Sequence, residues 1–286
     1  MQIATQRRLS GVQERKMKFS HWDSWSPTEY LKNYFSKLGQ ESFEHLKFLV
    51  RELKKFEGTA KKRILDFGSG PTIFAGLAAV PYASEIHMCD FLECNLDEIR
   101  KWFSRKDGAF NWQFYTEEIL KIECQEICPE NAVKRVQDLR RKTTGIFLAD
   151  ASFTHPVLTS KPTRYPIVIS SFCAESATHS RNVWQMYMKN IFNTVEDSGS
   201  LLVAALRNCR FYRSGKKIFP SANINEHNLK DVLEEGGFDM NNLVIEVKEV
   251  PQCAKDGFTQ IILAHAIKKR KERIKFSNLA TIHIKT

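Results

Sequence analysis

Long apolar runs are missing from this chain of 286 residues: the best candidate, residues 73–80, falls far short of the ~20 residues a membrane-spanning helix needs and contains Gly76. A soluble chain is expected. The first ten residues lack the apolar core of a secretory signal and carry Arg7 and Arg8 after a polar run, so the cytoplasm is the expected compartment. A disulfide framework is missing too, since seven cysteines are an odd number scattered over a long chain. Cys124 and Cys128 could share a helix face and Cys89 and Cys94 flank Asp90, but no C-x-x-C pair or histidine cluster has zinc spacing, and no metal is expected. A net charge of +10 suggests nucleic acid until it is located. Residues 1–20 hold five Arg and Lys against Glu14, and residues 268–286 hold seven against Glu272, so the ends carry the whole excess. The stretch between them is formally neutral and implies no basic groove, which makes nucleic acid an unexpected partner. At 42% hydrophobic and 27% charged, the composition excludes a disordered tail protein. The expected organisation is a basic arm over 1–20, one globular domain over 21–267 and a basic tail over 268–286.

What is present alternates in type. Ser26-Pro27-Thr28-Glu29 is an N-cap with proline at the first helical position. Leu31, Tyr34, Phe35 and Leu38 follow at helical spacing, and a second helix shows Phe43, Leu46, Leu49, Val50, Leu53 and Phe56 on one face. Residues 63–67 are a short apolar run entering Gly68-Ser69-Gly70-Pro71, a strand into a tight turn, with a helix over 75–80. Strands are expected at 85–89, 146–149, 167–170 and 200–206. Helices are expected at 92–103, within 117–141, at 182–195 and at 226–234. The last strands, 243–247 and 259–267, have no helix between them and predict an antiparallel hairpin at one edge of an otherwise parallel α/β sheet.

In such a sheet the ligand sits beyond the carboxyl ends of the strands. Gly68 and Gly70 let the backbone turn sharply there, and Asp90, closing the second strand, can take both hydroxyls of a ribose. The third glycine of a dinucleotide fingerprint is lacking, because Ile73 stands in its place. Asp66 closes the first strand, and an acid there suits a cationic cofactor and repels a pyrophosphate. A nucleoside cofactor other than NAD is expected.

A longer set of residues adds to this: Ser26-Pro27-Thr28-Glu29-Tyr30-Leu31, Asp66-Phe67-Gly68-Ser69-Gly70-Pro71-Thr72-Ile73-Phe74, Asp90 with Asn95, Lys101-Trp102 and Ser171-Phe172-Cys173-Ala174-Glu175. In this order the sequence resembles the nicotinamide, phenylethanolamine and indolethylamine N-methyltransferase family of class I S-adenosylmethionine-dependent methyltransferases. The resemblance implies a Rossmann-like seven-stranded sheet under a lid of N-terminal helices, and a monomeric enzyme that methylates the nitrogen of a small amine. It places Tyr30 and Tyr34 in the lid, and Gly68, Ser69, Gly70 and Thr72 along the methionine part of S-adenosylmethionine. It sets Asp90 and Asn95 at the ribose, Asp150 and Ala151 at the adenine edge, and Ser171 beneath the cofactor. Phe35 and Phe74 stand where the family has tyrosines, and Ala204-Ala205-Leu206 replaces a stretch where its nicotinamide-specific members carry an acid.

Methyl transfer is an in-line displacement that asks the protein to place a lone pair about 3 Å from the methyl carbon and to exclude water. An alkylamine of pKa about 10.4 is neutral in about one part in 10³ at pH 7, a handicap of ~4–5 kcal/mol. Glu175, at the family's acceptor side, is the expected catalytic and substrate-binding acid, able to orient the ammonium and help remove its proton. Arg207 or Arg210 is expected to pair with a carboxylate on the acceptor, and Tyr212, which matches an aromatic near the family's acceptor site, could stack on a ring there or simply pack. Cys173, beside the expected site, is a candidate for oxidation. Two other readings stay open: a silent methyltransferase fold that binds an acidic partner through its basic ends, and methylation of a macromolecule, which the neutral body disfavours.

Overall fold

The parallel strands are near-continuous apolar runs, the pattern of strands covered on both faces. In the computed structural model, which describes residues 19–270, β1 (Lys62–Phe67), β2 (Ala83–Asp90), β3 (Thr143–Leu148), β4 (Tyr165–Ser171) and β5 (Val195–Leu206) run parallel. Between β5 and the two edge strands, a two-stranded hairpin of β6 (Phe211–Ser214) and β7 (Lys217–Pro220) stands apart as its own small sheet. Then β8 (Val244–Glu249) and β9 (Gln260–Ile267) form the expected antiparallel pair, with β9 inserted against β5. The order across the main sheet is β3-β2-β1-β4-β5-β9-β8. Chain order reverses between β1 and β4, so a crevice opens at their carboxyl ends.

Helices cover both faces. On one side lie α1 (Pro27–Tyr34), α2 (Gln40–Lys54), α3 (Phe74–Ala79), α4 (Glu93–Phe103), α5 (Gln113–Ile122) and α6 (Pro129–Lys142); on the other lie α7 (Arg181–Phe192) and α8 (Glu226–Glu235). The first side buries Leu46, Leu49, Leu53, Ile64, Leu77 and Ile99, and the second buries Trp184, Phe192, Leu229 and Phe238. Ser26 caps α1 by accepting the Glu29 amide at 3.3 Å, with Pro27 at its first position.

Both terminal boundaries differ from those expected. The Ser20 amide donates to the Ile218 carbonyl at 2.7 Å, so packing begins inside the supposed arm. The Lys268 amide bonds the Gly199 carbonyl at 2.9 Å, and its Nζ donates to Phe192 at 2.5 Å and Val195 at 3.1 Å. Lys268 therefore belongs to the fold, since a buried ammonium here finds the carbonyls at the end of α7 and the start of β5. Most of the basic arm and tail lies outside the described residues.

Candidate functional site

The chain leaves β1 through a turn that only glycine makes without strain. Gly68 has φ +71° and Gly70 φ +59°. The Gly68 and Ser69 amides donate to the Cys89 carbonyl at 2.8 and 3.0 Å, which ties the turn to β2. A Cβ on Gly68 would sit 2.1 Å from Cys173 Sγ, so the turn lies directly on the segment after β4. The same test at Gly70 meets nothing within 4 Å, because Gly70 faces a cavity.

Asp90 is held by three donors: Gly70 N–H to Oδ2 at 2.8 Å, and Leu92 N–H and Asn95 Nδ2 to Oδ1, both at 2.9 Å. Asn95 in turn accepts from Trp25 Nε1 at 2.8 Å, so the acid at the end of β2 is linked to the segment before α1. Asp66 is buried, with Oδ2 lacking a partner among the described residues, and burial followed by the Asp90 charge pushes it up to about 7.

The cavity has a volume of about 400 Å³, within the size range of cofactor pockets. Its floor is the glycine turn and the ends of β2 and β4. Its roof is Trp22, Trp25, Tyr30 and Tyr34. The β6–β7 hairpin fixes that roof: Trp22 stacks on Phe219 at 4.8 Å between centroids, and Tyr34 Oη donates to the Arg213 carbonyl at 2.5 Å.

One cavity brings together Tyr30, Tyr34, Gly68, Ser69, Gly70, Thr72, Asp90, Asn95, Asp150, Ala151, Ser171 and Tyr212. Thr72 Oγ1 braces the turn by donating to the Ser69 carbonyl at 2.8 Å, and Asp150 Oδ1 accepts the Ser152 amide at 2.8 Å. Burial raises the hydroxyls of Tyr30, Tyr34 and Tyr212, keeping them protonated. Burial also pushes the Cys173 thiol up, which leaves little thiolate for the expected oxidation.

Three expected acceptor residues are elsewhere. Glu175 is 2% exposed and does not line the cavity; its Oε1 accepts from Leu206 N–H at 3.1 Å and Ser176 Oγ at 3.2 Å. Burial pushes it up to about 7. Arg207 is turned away into a paired contact with Glu226, Nε to Oε2 at 2.6 Å and Nη2 to Oε1 at 2.9 Å, which holds Glu226 down at about 2. Arg210 is exposed and lies outside the cavity lining. The segment read as an acceptor loop is the roof-bearing hairpin.

The sequence reading passed over three residues of α2 that do line the cavity, Glu41, Ser42 and His45. His45 Nε2 lies 3.1 Å from Ser171 Oγ, its Nδ1 has no partner among the described residues, and burial pushes it down to about 3. Phe91, 61% exposed beside Asp90, and Tyr187 on α7 also border the cavity.

Curated relatives share this chain's pattern over long stretches. Phenylethanolamine N-methyltransferase of Macaca mulatta is 26% identical over 184 residues, 64% of this chain and 64% of that protein. Nicotinamide N-methyltransferase of Sus scrofa is 22% identical, covering 82% of this chain and 89% of its own length. Indolethylamine N-methyltransferase of Oryctolagus cuniculus is 25% identical, covering 76% and 84%. The match therefore spans less than two thirds of the phenylethanolamine enzyme and most of the other two. A family model covers nearly the entire chain, residues 14–269, and the chain belongs to the NNMT/PNMT/TEMT family.

Proposed function

We propose that this chain transfers a methyl group from S-adenosylmethionine to the nitrogen of a small amine. The observation that carries the reading is the pairing of Gly70, open to the cavity, with Asp90, whose carboxylate stands at the end of β2 beside it. Relatives named for N-methylation of phenylethanolamine, nicotinamide and indolethylamine support nitrogen as the acceptor atom.

The donor set suits this cofactor. A Cβ-free edge at Gly70 lets a ligand approach the backbone, Asp90 offers a carboxylate to a ribose diol, and exposed Phe91 next to it offers a ring face to a purine. Asp66 Oδ2 is a buried acceptor without a donor, a state that an ammonium would relieve. When bound, S-adenosylmethionine supplies an electrophilic methyl group on a cationic sulfur. The chain's residues do the rest by placement. Trp22, Trp25, Tyr30 and Tyr34 exclude water from above, and Tyr212 and Phe172 supply aromatic wall. Glu175 acts through Leu206: by holding that amide it fixes the end of β5 where Leu206 meets the cavity, so it is a positioning residue.

The aromatic residues before and within α1 that line the cavity belong to this same chain, and its seven cysteines are free thiols, which supports a monomer acting in a reducing compartment such as the cytoplasm. Among the described residues no helix is long and apolar enough to cross a membrane.

Thermal unfolding with S-adenosylhomocysteine tests the cofactor. At ligand near 100 times Kd, binding adds ~2.7 kcal/mol and raises Tm by about 5–10 °C. Asp90→Ala is expected to abolish the shift, and NADH to produce none. No shift in the wild type, or a shift with NADH alone, would sink the proposal.

A further inference from the structure

We propose that Glu41, in the first turn of α2, takes the charge of the acceptor nitrogen, and that the wall it shares with His45 admits amines and refuses acceptors that carry a carboxylate. This rests on the cofactor reading above.

The charge of the cavity is one-sided. Four carboxylates line it, Glu41, Asp66, Asp90 and Asp150, and among the described residues no lysine or arginine does. Three of the four stand at strand ends around the glycine turn: Asp90 with its three donors, Asp150 with the Ser152 amide, and Asp66 facing Asp90. Glu41 is different. It comes from a helix, it lies apart from the turn, and its carboxylate makes no hydrogen bond or ion pair with any described residue.

Its surroundings make that charge expensive while nothing is bound. Tyr30, Tyr34 and Tyr115 lie close enough to feel it, as do Cys253 and Asp256 of the segment before β9. Burial, and then Asp256, push Glu41 up to about 7. Asp256 has Lys255 and Arg213 near it, whereas among the described residues Glu41 has no comparable cation. A ligand ammonium would supply the missing partner, with hydrogen bonds strengthened by both charges.

One helical turn on, His45 presents a neutral imidazole. Its ring meets Phe74 and Phe172 edge-on at 5.3 and 5.2 Å between centroids, and Nε2 is engaged with Ser171. An anion, a neutral ring and aromatic walls suit a cation with an apolar body. A carboxylate on the acceptor would face Glu41 with no cation among the described residues to pair it, because Arg207 is already committed to Glu226. Refusal of anionic acceptors comes from that lack of a partner.

The test uses probes whose nucleoside half seats them regardless of the natural acceptor: S-adenosylhomocysteine analogues with nitrogen in place of sulfur, bearing an aminopropyl, propyl or carboxyethyl arm. Calorimetric titration of the full chain is expected to show the aminopropyl compound binding at least tenfold tighter than the propyl one, and the carboxyethyl compound at least tenfold weaker. Glu41→Gln is expected to erase the aminopropyl advantage while leaving propyl affinity unchanged, which also shows that the variant folds. Equal affinities of the aminopropyl and propyl compounds for the wild type overturn the proposal, as does an advantage that survives in Glu41→Gln. Failure of the propyl compound and S-adenosylhomocysteine to bind the wild type would instead remove the cofactor reading, and this inference with it.

Discussion

The carboxylate of Glu175 accepts the backbone N–H of Leu206 at 3.1 Å, joining the segment after β4 to the last residue of β5. A buried amide that loses its acceptor costs about 1–3 kcal/mol. Glu175→Ala should lose that much stability in urea denaturation, while Glu175→Gln, whose amide oxygen can still accept, should stay within ~1 kcal/mol of wild type and keep its affinity for S-adenosylhomocysteine. A Glu175→Gln variant as unstable as Glu175→Ala would show that the charge matters and the acceptor atom does not.

Gly68 and Gly70 should fail in different ways. Both have positive φ, which costs a residue with a Cβ about 1–2 kcal/mol. Gly68→Ala also drives its Cβ into Cys173, so it should destabilise the fold further, and Cys173→Ala in the same chain should recover part of the loss. Gly70→Ala has open space around it and should fold with only the backbone cost, but its methyl group projects into the cavity and should weaken S-adenosylhomocysteine binding at least tenfold. Denaturation midpoints beside titrations separate the two, and a Gly70→Ala variant with full affinity would place the ligand elsewhere.

The glycine-turn side of the cavity was legible because its signals are local. Asp66 to Thr72 is one contiguous strand-to-turn segment, and Asp90 closes the next strand, so chain order alone puts them together. The α2 side was not. A first-turn acid such as Glu41 is already explained by the helix dipole, and nothing in sequence aims it at a cavity. Arg207 reads as a free cation because its partner, Glu226, is 19 residues on in the first turn of α8. The β6–β7 hairpin did leave a signal. Gly215, with φ +61°, occupies a two-residue connection of the kind that favours glycine first, but the basic residues before it read as part of an acceptor site. The seven strands and their edge hairpin were foreseen because apolar runs and helix-free connections are properties of the chain itself.

Trp25 and Asn95 join the segment before α1 to Asp90 at the end of β2. Trp25→Phe keeps most of the ring packing against Tyr30 and Phe219 but removes the N–H that Asn95 accepts. One such bond is worth about 1 kcal/mol, so dissociation of S-adenosylhomocysteine should speed up about fivefold in stopped-flow measurements, with little change in association. An unchanged off-rate would mean that the lid does not hold the ligand through this contact.

Asp66 predicts the pH dependence of the ligand-free protein. Its carboxyl moves from an ordinary 3.8 to about 7 in the fold, so the folded state holds a proton more tightly than the unfolded chain. Unfolding then releases that proton between pH ~4 and ~7, and stability falls as pH rises through this window, by up to ~1.4 kcal/mol per pH unit from this group. Glu41 and Glu175, both raised from 4.5 to about 7, act in the same sense. His45, pushed down to about 3, acts oppositely below pH ~6.5, but it does so in wild type and variant alike and cancels from the comparison. Asp66→Asn removes one titrating group from the window. Its urea stability measured at pH 5, 6, 7 and 8 should decline less steeply than that of the wild type, and the two curves should run parallel above pH ~8. Equal slopes between pH 5 and 7 would mean that Asp66 is already ionised in the empty fold, with its charge met by a partner.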